Sequence, residues 1–195
     1  MAASSGYAGV GMSSGGIGVT VNGLVIDNDN AGGILSTSDA KVYVSSSNNL
    51  GVSSVAGDGS FMDGGSCSTN CSSSTDPDEG LLLTFSQIVN LVYINFDNFS
   101  TSGSDDFNLT VDGKLTLLDF NFNDTSPLAS NSGLPGQEDE YNFSGISGTQ
   151  FLFWADGSSD NFKIDRIEVP EPTTLGMLVA GVALLGAKRR GKLMK

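Results

Sequence analysis

The sequence predicts an all-β body, an antiparallel β-sandwich or jelly roll, followed by one short C-terminal transmembrane helix. Three observations carry this. The 26 glycines, with abundant Ser, Asn and Asp, place turn formers at short intervals, and helix formers are scarce before the last stretch. Short apolar runs between those turns repeat with the period of two that a half-buried strand shows. Residues 173–187 carry no charge at all and are followed at once by Lys188, Arg189 and Arg190. A length of 195 residues suits one globular domain with short appendages.

In chain order, residues 17–26 read as a hairpin, because Asn22-Gly23 between alternating apolar positions suits a two-residue type I′ turn. A strand is expected at 41–45. Residues 46–80 hold few large apolar side chains beyond Phe61 and Met62 and read as a long Gly/Ser-rich excursion. Strands then follow closely, at 81–86, 89–96, 107–111, 114–120, 140–143, 150–155 and 162–169. Asp112-Gly113 makes a second two-residue turn. Phe107, Leu109 and Val111 alternate with Asn108 and Thr110, which predicts one buried and one wet face. The broken alternation of Ile164, Ile167 and Val169 predicts a bulge near Asp165 or Arg166. The organisation is therefore an acidic body at 1–169, a Pro-Glu-Pro linker at 170–172, an apolar helix at 173–187 and a basic tail at 188–195.

Charge separates body from tail. All 22 acidic residues lie at or before Glu171, whereas Lys41, Lys114, Lys163 and Arg166 are the only cations there, so the body carries a net −18. Such a surface repels phosphate backbones, and no nucleic-acid partner is expected. Histidine is absent, which removes Ser-His and Cys-His catalysis, imidazole bases and almost all histidine-ligated metal sites. Carboxylate chemistry is what is left for an enzyme. Nothing singles out a glycosidase-like pair among the acids, and the expectation is a solvated acidic surface and no catalytic residue. Cys67 and Cys71 read as a local disulfide of an oxidising compartment, the alternative being two free thiols.

No cofactor is required by this composition. Structural Ca²⁺ is a candidate, since Asp27-Asn28-Asp29-Asn30, Asp58 with Asp63, and Asp105-Asp106 are oxygen-rich. Asp105, Asp106 and Asp160 are the ligands to test first. None of these clusters has EF-hand spacing. Trp154, beside Phe151 and Phe153, reads as a core residue in preference to a sugar-stacking platform.

The last 27 residues are the most informative. Fifteen helical residues extend about 22 Å, shorter than the roughly 30 Å hydrocarbon core of a bilayer. The segment nevertheless has no polar face, and flanking cations snorkel to the interface. Leu175, Leu178, Val179, Val182, Leu184 and Leu185 are its expected anchor. The cluster of Lys188, Arg189 and Arg190 is expected in the cytoplasm, with the body outside. Before the helix stand Val169, Pro170, Glu171 and Pro172, where two prolines hold the backbone extended and end the preceding strand.

This ordered set, Pro-Glu-Pro, then an apolar Gly- and Leu-rich helix, then an Arg-containing cluster, resembles the PEP-CTERM sorting signal of Gram-negative bacteria. The resemblance implies recognition by exosortase, a membrane-embedded peptidase or transpeptidase, with Pro170, Glu171 and Pro172 as substrate and not as catalyst. It also implies transit through the inner membrane to the cell surface or the extracellular polymer. Residues 81–169 look like the β-sandwich bodies found ahead of this signal, in Leu83-Thr-Phe-Ser-Gln-Ile-Val-Asn-Leu91, in 105–113 and in 160–169. One departure is the N-terminus, Met1 to Val10, which has neither a basic nor an apolar signal-peptide region. A start further upstream is expected, the alternative being a truncated or decayed gene.

The expected function is an exported, non-enzymatic surface or biofilm-matrix protein that exosortase sorts and processes. The alternatives are a carbohydrate- or Ca²⁺-dependent binding module in the same place, partnered by extracellular polysaccharide, and a carboxylate-based polysaccharide hydrolase.

Overall fold

The structure, a computed structural model, describes residues 10–14, 16–28, 34–45, 49–53, 61–63, 78–100, 105–131, 139–155 and 160–170. Eleven strands form within them: β1 (Val10–Ser14), β2 (Ile17–Asn28), β3 (Ile34–Val44), β4 (Leu50–Ser53), β5 (Met62–Asp63), β6 (Asp78–Asp97), β7 (Asp106–Val111), β8 (Lys114–Asn121), β9 (Ala129–Asn131), β10 (Glu140–Trp154) and β11 (Asn161–Glu168). All pairings between them are antiparallel, and no helix occurs among the described residues. The all-β antiparallel class is as the sequence predicts. The apolar segment 173–187 lies outside the described residues, among which no helix is long and apolar enough to cross a membrane.

The strands make one eleven-stranded sheet built round β6 and β10. At one end, β6 pairs on its outer side with β2, and β10 with β7, which continues to β8. At the other end, β6 pairs with β11, and β10 with β9. β4 links β11 to the last residues of β3, while the first residues of β3 lie on β2. Thus β3, β6 and β10 each belong to both halves.

The sheet bends where β6 and β10 lose register. Thr84 pairs Gln150 and Val89 pairs Gly148, so Phe85 to Ile88 stand opposite Thr149 alone. The residues Ser86, Gln87 and Ile88 are exposed there. Bulges of this kind let one strand turn a corner from one layer into another. The two halves consequently face each other: Phe107 on β7 lies 4.9 Å from Phe96 and 5.1 Å from Tyr141, both in the other half. These rings, with Phe99, Phe120, Phe153 and Phe162, fill one core.

Several local expectations need correction. Asn22-Gly23 is not a turn: β2 is one continuous strand, in which Gly23 pairs with Leu81 on one side and Ala40 on the other. A Cβ on Gly23 would stand 3.0 Å from the carbonyl carbon of Lys41, so this glycine serves a close backbone approach and not a hairpin. The hairpin lies earlier, where Ser14 pairs with Ile17 and Gly16 has φ 81°. The segments 81–86 and 89–96 are one strand, as are 140–143 and 150–155, because the intervening polar residues bend the chain without ending the ladder. The excursion 46–80 supplies β4, β5 and the first residues of β6, with Val52 and Met62 fully buried. Asn108 and Thr110 are buried, not wet. Their face of the sheet carries a second apolar cluster of Leu24, Ile26, Leu152 and Trp154.

Two local expectations are met. Asp112 and Gly113 both have positive φ, 47° and 77°, as a type I′ turn requires. The register of β11 against β6 shifts between Ile164 and Arg166, where the bulge is expected. Asp112 does more than turn the chain. Its Oδ1 accepts hydrogen bonds from the Thr149 amide and hydroxyl and from the Gln150 amide at 3.0, 2.9 and 2.8 Å. The Gln150 amide is the chief cause of a carboxyl held below its ordinary value of 3.8, with Thr149 adding to it and partial burial opposing.

A depressed carboxyl contributes stability that is present above 3.8 and lost as pH falls through its folded value. Asp112→Asn keeps a residue tolerant of the left-handed backbone and removes only the charge. It is expected to lower the melting temperature at neutral pH by no more than about 2 °C, because the amide oxygen keeps the three hydrogen bonds and only their charge assistance is lost. Melting curves of the two proteins should converge as the pH is taken below 3.8.

Candidate functional site

The segment that leads into the Pro-Glu-Pro motif is β11. Its first half is held by burial: Phe162 and Ile164 point into the core, and Lys163, itself buried, sets its ammonium 3.7 Å above the ring of Phe61. After the bulge, Arg166, Ile167 and Glu168 pair in turn with Asn95, Ile94 and Tyr93 of β6. Ile167 and Val169 are partly buried and pack against the main core. Pro170 is exposed.

The other face of this strand is polar and linked. Arg166 forms an ion pair with Glu168, two residues on and therefore on the same face. The Arg166 guanidinium lies 5.8 Å from the ring centre of Tyr93, within cation–π range. The Tyr93 hydroxyl is pushed up to about 12, first by burial and then by its hydrogen bond to the Glu140 carboxylate and that group's charge, while Arg166 acts in the opposite direction. Strands β6, β10 and β11 thus meet round one tyrosine beside the last described residues. Sequence reasoning missed this cluster. The period-two spacing of Arg166 and Glu168 was its only visible sign, since Tyr93 and Glu140 arrive from distant strands.

Of the residues singled out from sequence for sorting, Val169 and Pro170 are described. Glu171 and Pro172, the anchor residues Leu175, Leu178, Val179, Val182, Leu184 and Leu185, the cluster Lys188, Arg189 and Arg190, and the cysteines Cys67 and Cys71 all lie outside the described residues. So do the side chains of Asp27, Asp29, Asp58 and Asp63.

The three candidate Ca²⁺ ligands come near one another as backbone caps. Asp160 Oδ1 accepts the Asp106 amide at 3.0 Å, and Asp105 Oδ2 accepts the Ser100 amide at 2.7 Å. Burial pushes the Asp105 carboxyl up, against the Ser100 amide. Among the described residues no three of His, Cys, Asp and Glu are placed to hold a metal ion. Trp154 is fully buried among Leu24, Ile26 and Leu152, so it is a core residue and presents no platform. A shallow groove of about 220 Å³ lies beside Val111, Asp112, Lys114, Leu128 and Ile146. Its described lining includes one carboxylate, Asp112, already bonded to β10.

Comparison with known proteins places the chemistry at the chain's C-terminal end. No curated protein and no solved structure matches the chain significantly. A family model, the PEP-CTERM protein-sorting motif, matches residues 168–192. Its first residues, Glu168 to Pro170, are the last of the described residues, so the matched signal begins at the end of β11. The chain thus carries a PEP-CTERM protein-sorting motif joined directly to its last described strand, and that motif implies an exported protein targeted to exosortase.

Proposed function

We propose that the chain is a cell-surface or extracellular-matrix protein without catalysis of its own, whose apolar segment 173–187 holds it in the inner membrane until exosortase processes it. The observation that supports this reading is the sorting-motif match at 168–192, which begins where β11 ends. The sequence beyond supports the rest: an uncharged stretch of helix length followed by Lys188, Arg189 and Arg190 on the side the positive-inside rule assigns to the cytoplasm. The body outside is a folded-over antiparallel sheet of sandwich type with an acidic surface, which suits a soluble domain released into an aqueous matrix.

The test is intact-mass and C-terminal peptide mass spectrometry on the native protein, comparing culture supernatant with membranes. The expected result is a supernatant form that lacks residues 175–195 and a full-length form confined to membranes. A protein recovered only at full length from the cytoplasm would overturn the reading.

A further inference from the structure

We infer that the folded chain cross-links itself: the Lys163 amine displaces ammonia from the Asn49 carboxamide, with Asp97 carrying the proton, and an isopeptide bond then joins β11 to the residue that precedes β4. The bond forms once per chain, whether or not the chain is sorted, and is not turnover of another molecule.

Asn49, Asp97 and Lys163 are far apart in sequence, and the sheet brings them to one place. Lys163 on β11 stands directly opposite Asp97 on β6, and residues so opposed carry their Cβ atoms about 4.5–5.5 Å apart on one face. On the other side of β11, Ile164 pairs with Leu50, so the chain neighbours of Lys163 and Asn49 are themselves opposed. Asn49 reaches across to the acid: its Nδ2 donates to Asp97 Oδ2 at 2.6 Å. Both Asn49 and Lys163 are buried, at 5% and 8% exposure. Lysine is seldom buried unless it is paired, yet this ammonium rests 3.7 Å from the ring centre of Phe61, and among the described residues no carboxylate lies within ion-pairing distance of it. Asn49 Oδ1 is buried too and accepts no hydrogen bond, which is a costly state for a carbonyl oxygen. An amine brought to this carboxamide therefore meets a carbonyl with an unengaged oxygen and a nitrogen already bonded to an acid.

Lysine attacks only as the free amine, so a proton must first leave it. Asp97, directly across the ladder, takes that proton. The flexible lysine stem then carries Nζ from Phe61 to Asn49, where it attacks Cγ. The carbonyl π electrons pass to Oδ1 and return as the Cγ–Nδ2 bond breaks, and protonated Asp97, already in contact with Nδ2, supplies the departing nitrogen. The proton that Nζ loses on becoming an amide also ends on the ammonia, which leaves as ammonium and returns Asp97 to carboxylate. One lysine and one carboxamide thus give one secondary amide and one ammonium, with no oxidant or other reactant. Holding the two groups together in a site shielded from water replaces the encounter that makes such a reaction slow in solution. The product ties β11 to the start of β4, strands that otherwise meet through one residue pair. Like a disulfide it constrains the unfolded chain, and unlike one it is indifferent to reducing agents.

The experiment is intact-mass and tandem mass spectrometry on the folded full chain, denatured only for injection. The expected result is a mass lower by one ammonia and a branched peptide in which the Lys163 side chain is joined to Asn49. A wild-type chain at its full mass overturns the inference. So does a chain lighter by one ammonia in which Lys163 is free, because Asn49 has then closed on its own backbone. Lys163→Met, which keeps a long side chain beside Phe61, and Asp97→Ala are both expected at full mass. Loss of ammonia in the first overturns the cross-link, and in the second it overturns the part given to Asp97. The branched peptide of the wild-type chain decides the matter whether or not the variants fold.

Discussion

Phe96→Ala is expected to abolish the cooperative unfolding transition of the body at 37 °C. Phe96 sits in the second half of β6 and is fully buried. Its ring centre lies 5.1 Å from Phe99, 4.9 Å from Phe107, 5.8 Å from Tyr141, 6.2 Å from Phe153 and 5.1 Å from Phe162. Those partners belong to both halves of the bent sheet, so the residue joins the layers and does not merely fill one. Removing a buried phenylalanine ring costs about 3–5 kcal/mol, against a total stability of roughly 5–15 kcal/mol for a domain. Chemical denaturation followed by tryptophan fluorescence checks this, since Trp154 is fully buried in the native state. A variant that retains the wild-type midpoint would show that Phe96 does not hold the layers together.

Gly80→Val is expected to destabilise the body by about 3 kcal/mol, at the upper end of overpacking substitutions, and to lower its melting temperature by about 6–12 °C. Gly80 pairs with Trp154 of β10 on one side and Leu24 of β2 on the other. A Cβ there would stand 2.8 Å from the Trp154 Cβ, 2.9 Å from the Phe153 carbonyl oxygen and 3.0 Å from Leu152 Cδ1. The carbonyl cannot swing aside without breaking the ladder. Gly18→Ala is the control: its Cβ would meet the Ser86 side chain at 3.7 Å, an ordinary contact, and thermal melting should place it close to wild type. Equal losses in the two variants would show that the cost comes from chain entropy and not from collision.

How far the sequence could be read depended on whether local chemistry or distant partners decide a segment. Asp112-Gly113 turns as read, because both residues adopt positive φ readily and the bonds from β10 to Asp112 reinforce that local preference. Asn22-Gly23 offers the same chemistry and does not turn, since β3 and β6 enclose it on both sides and ladder bonds outweigh a turn preference. The pairs 81–86 with 89–96 and 140–143 with 150–155 were split at polar residues that mark corners of a continuous strand. Asn108 was assigned to a wet face, yet its Oδ1 accepts the Asp119 amide at 2.9 Å within the protein, a partner that no periodicity reveals. The sorting signal was legible because it is a linear composite, each part defined by order and composition. The hold on β11 was not, because Tyr93, Glu140 and Arg166 come from three strands.

The sharing of β3, β6 and β10 between the two halves bears on when the body can fold during export. Neither half can close alone, since removing either leaves three long strands with unpaired edges. β4 finds its neighbour at Ile164, opposite Leu50, and β2 finds β6 across some sixty residues, Val19 opposite Phe85. Pairings this distant in sequence make for slow folding. A chain that emerges from its N-terminus therefore gathers its strands in an incomplete state until β11 arrives, and β11 runs straight into the sorting motif matched at residues 168–192. Completion of the sheet and arrival of the sorting signal are thus one event in time: the protein becomes a finished domain at the moment it becomes a substrate.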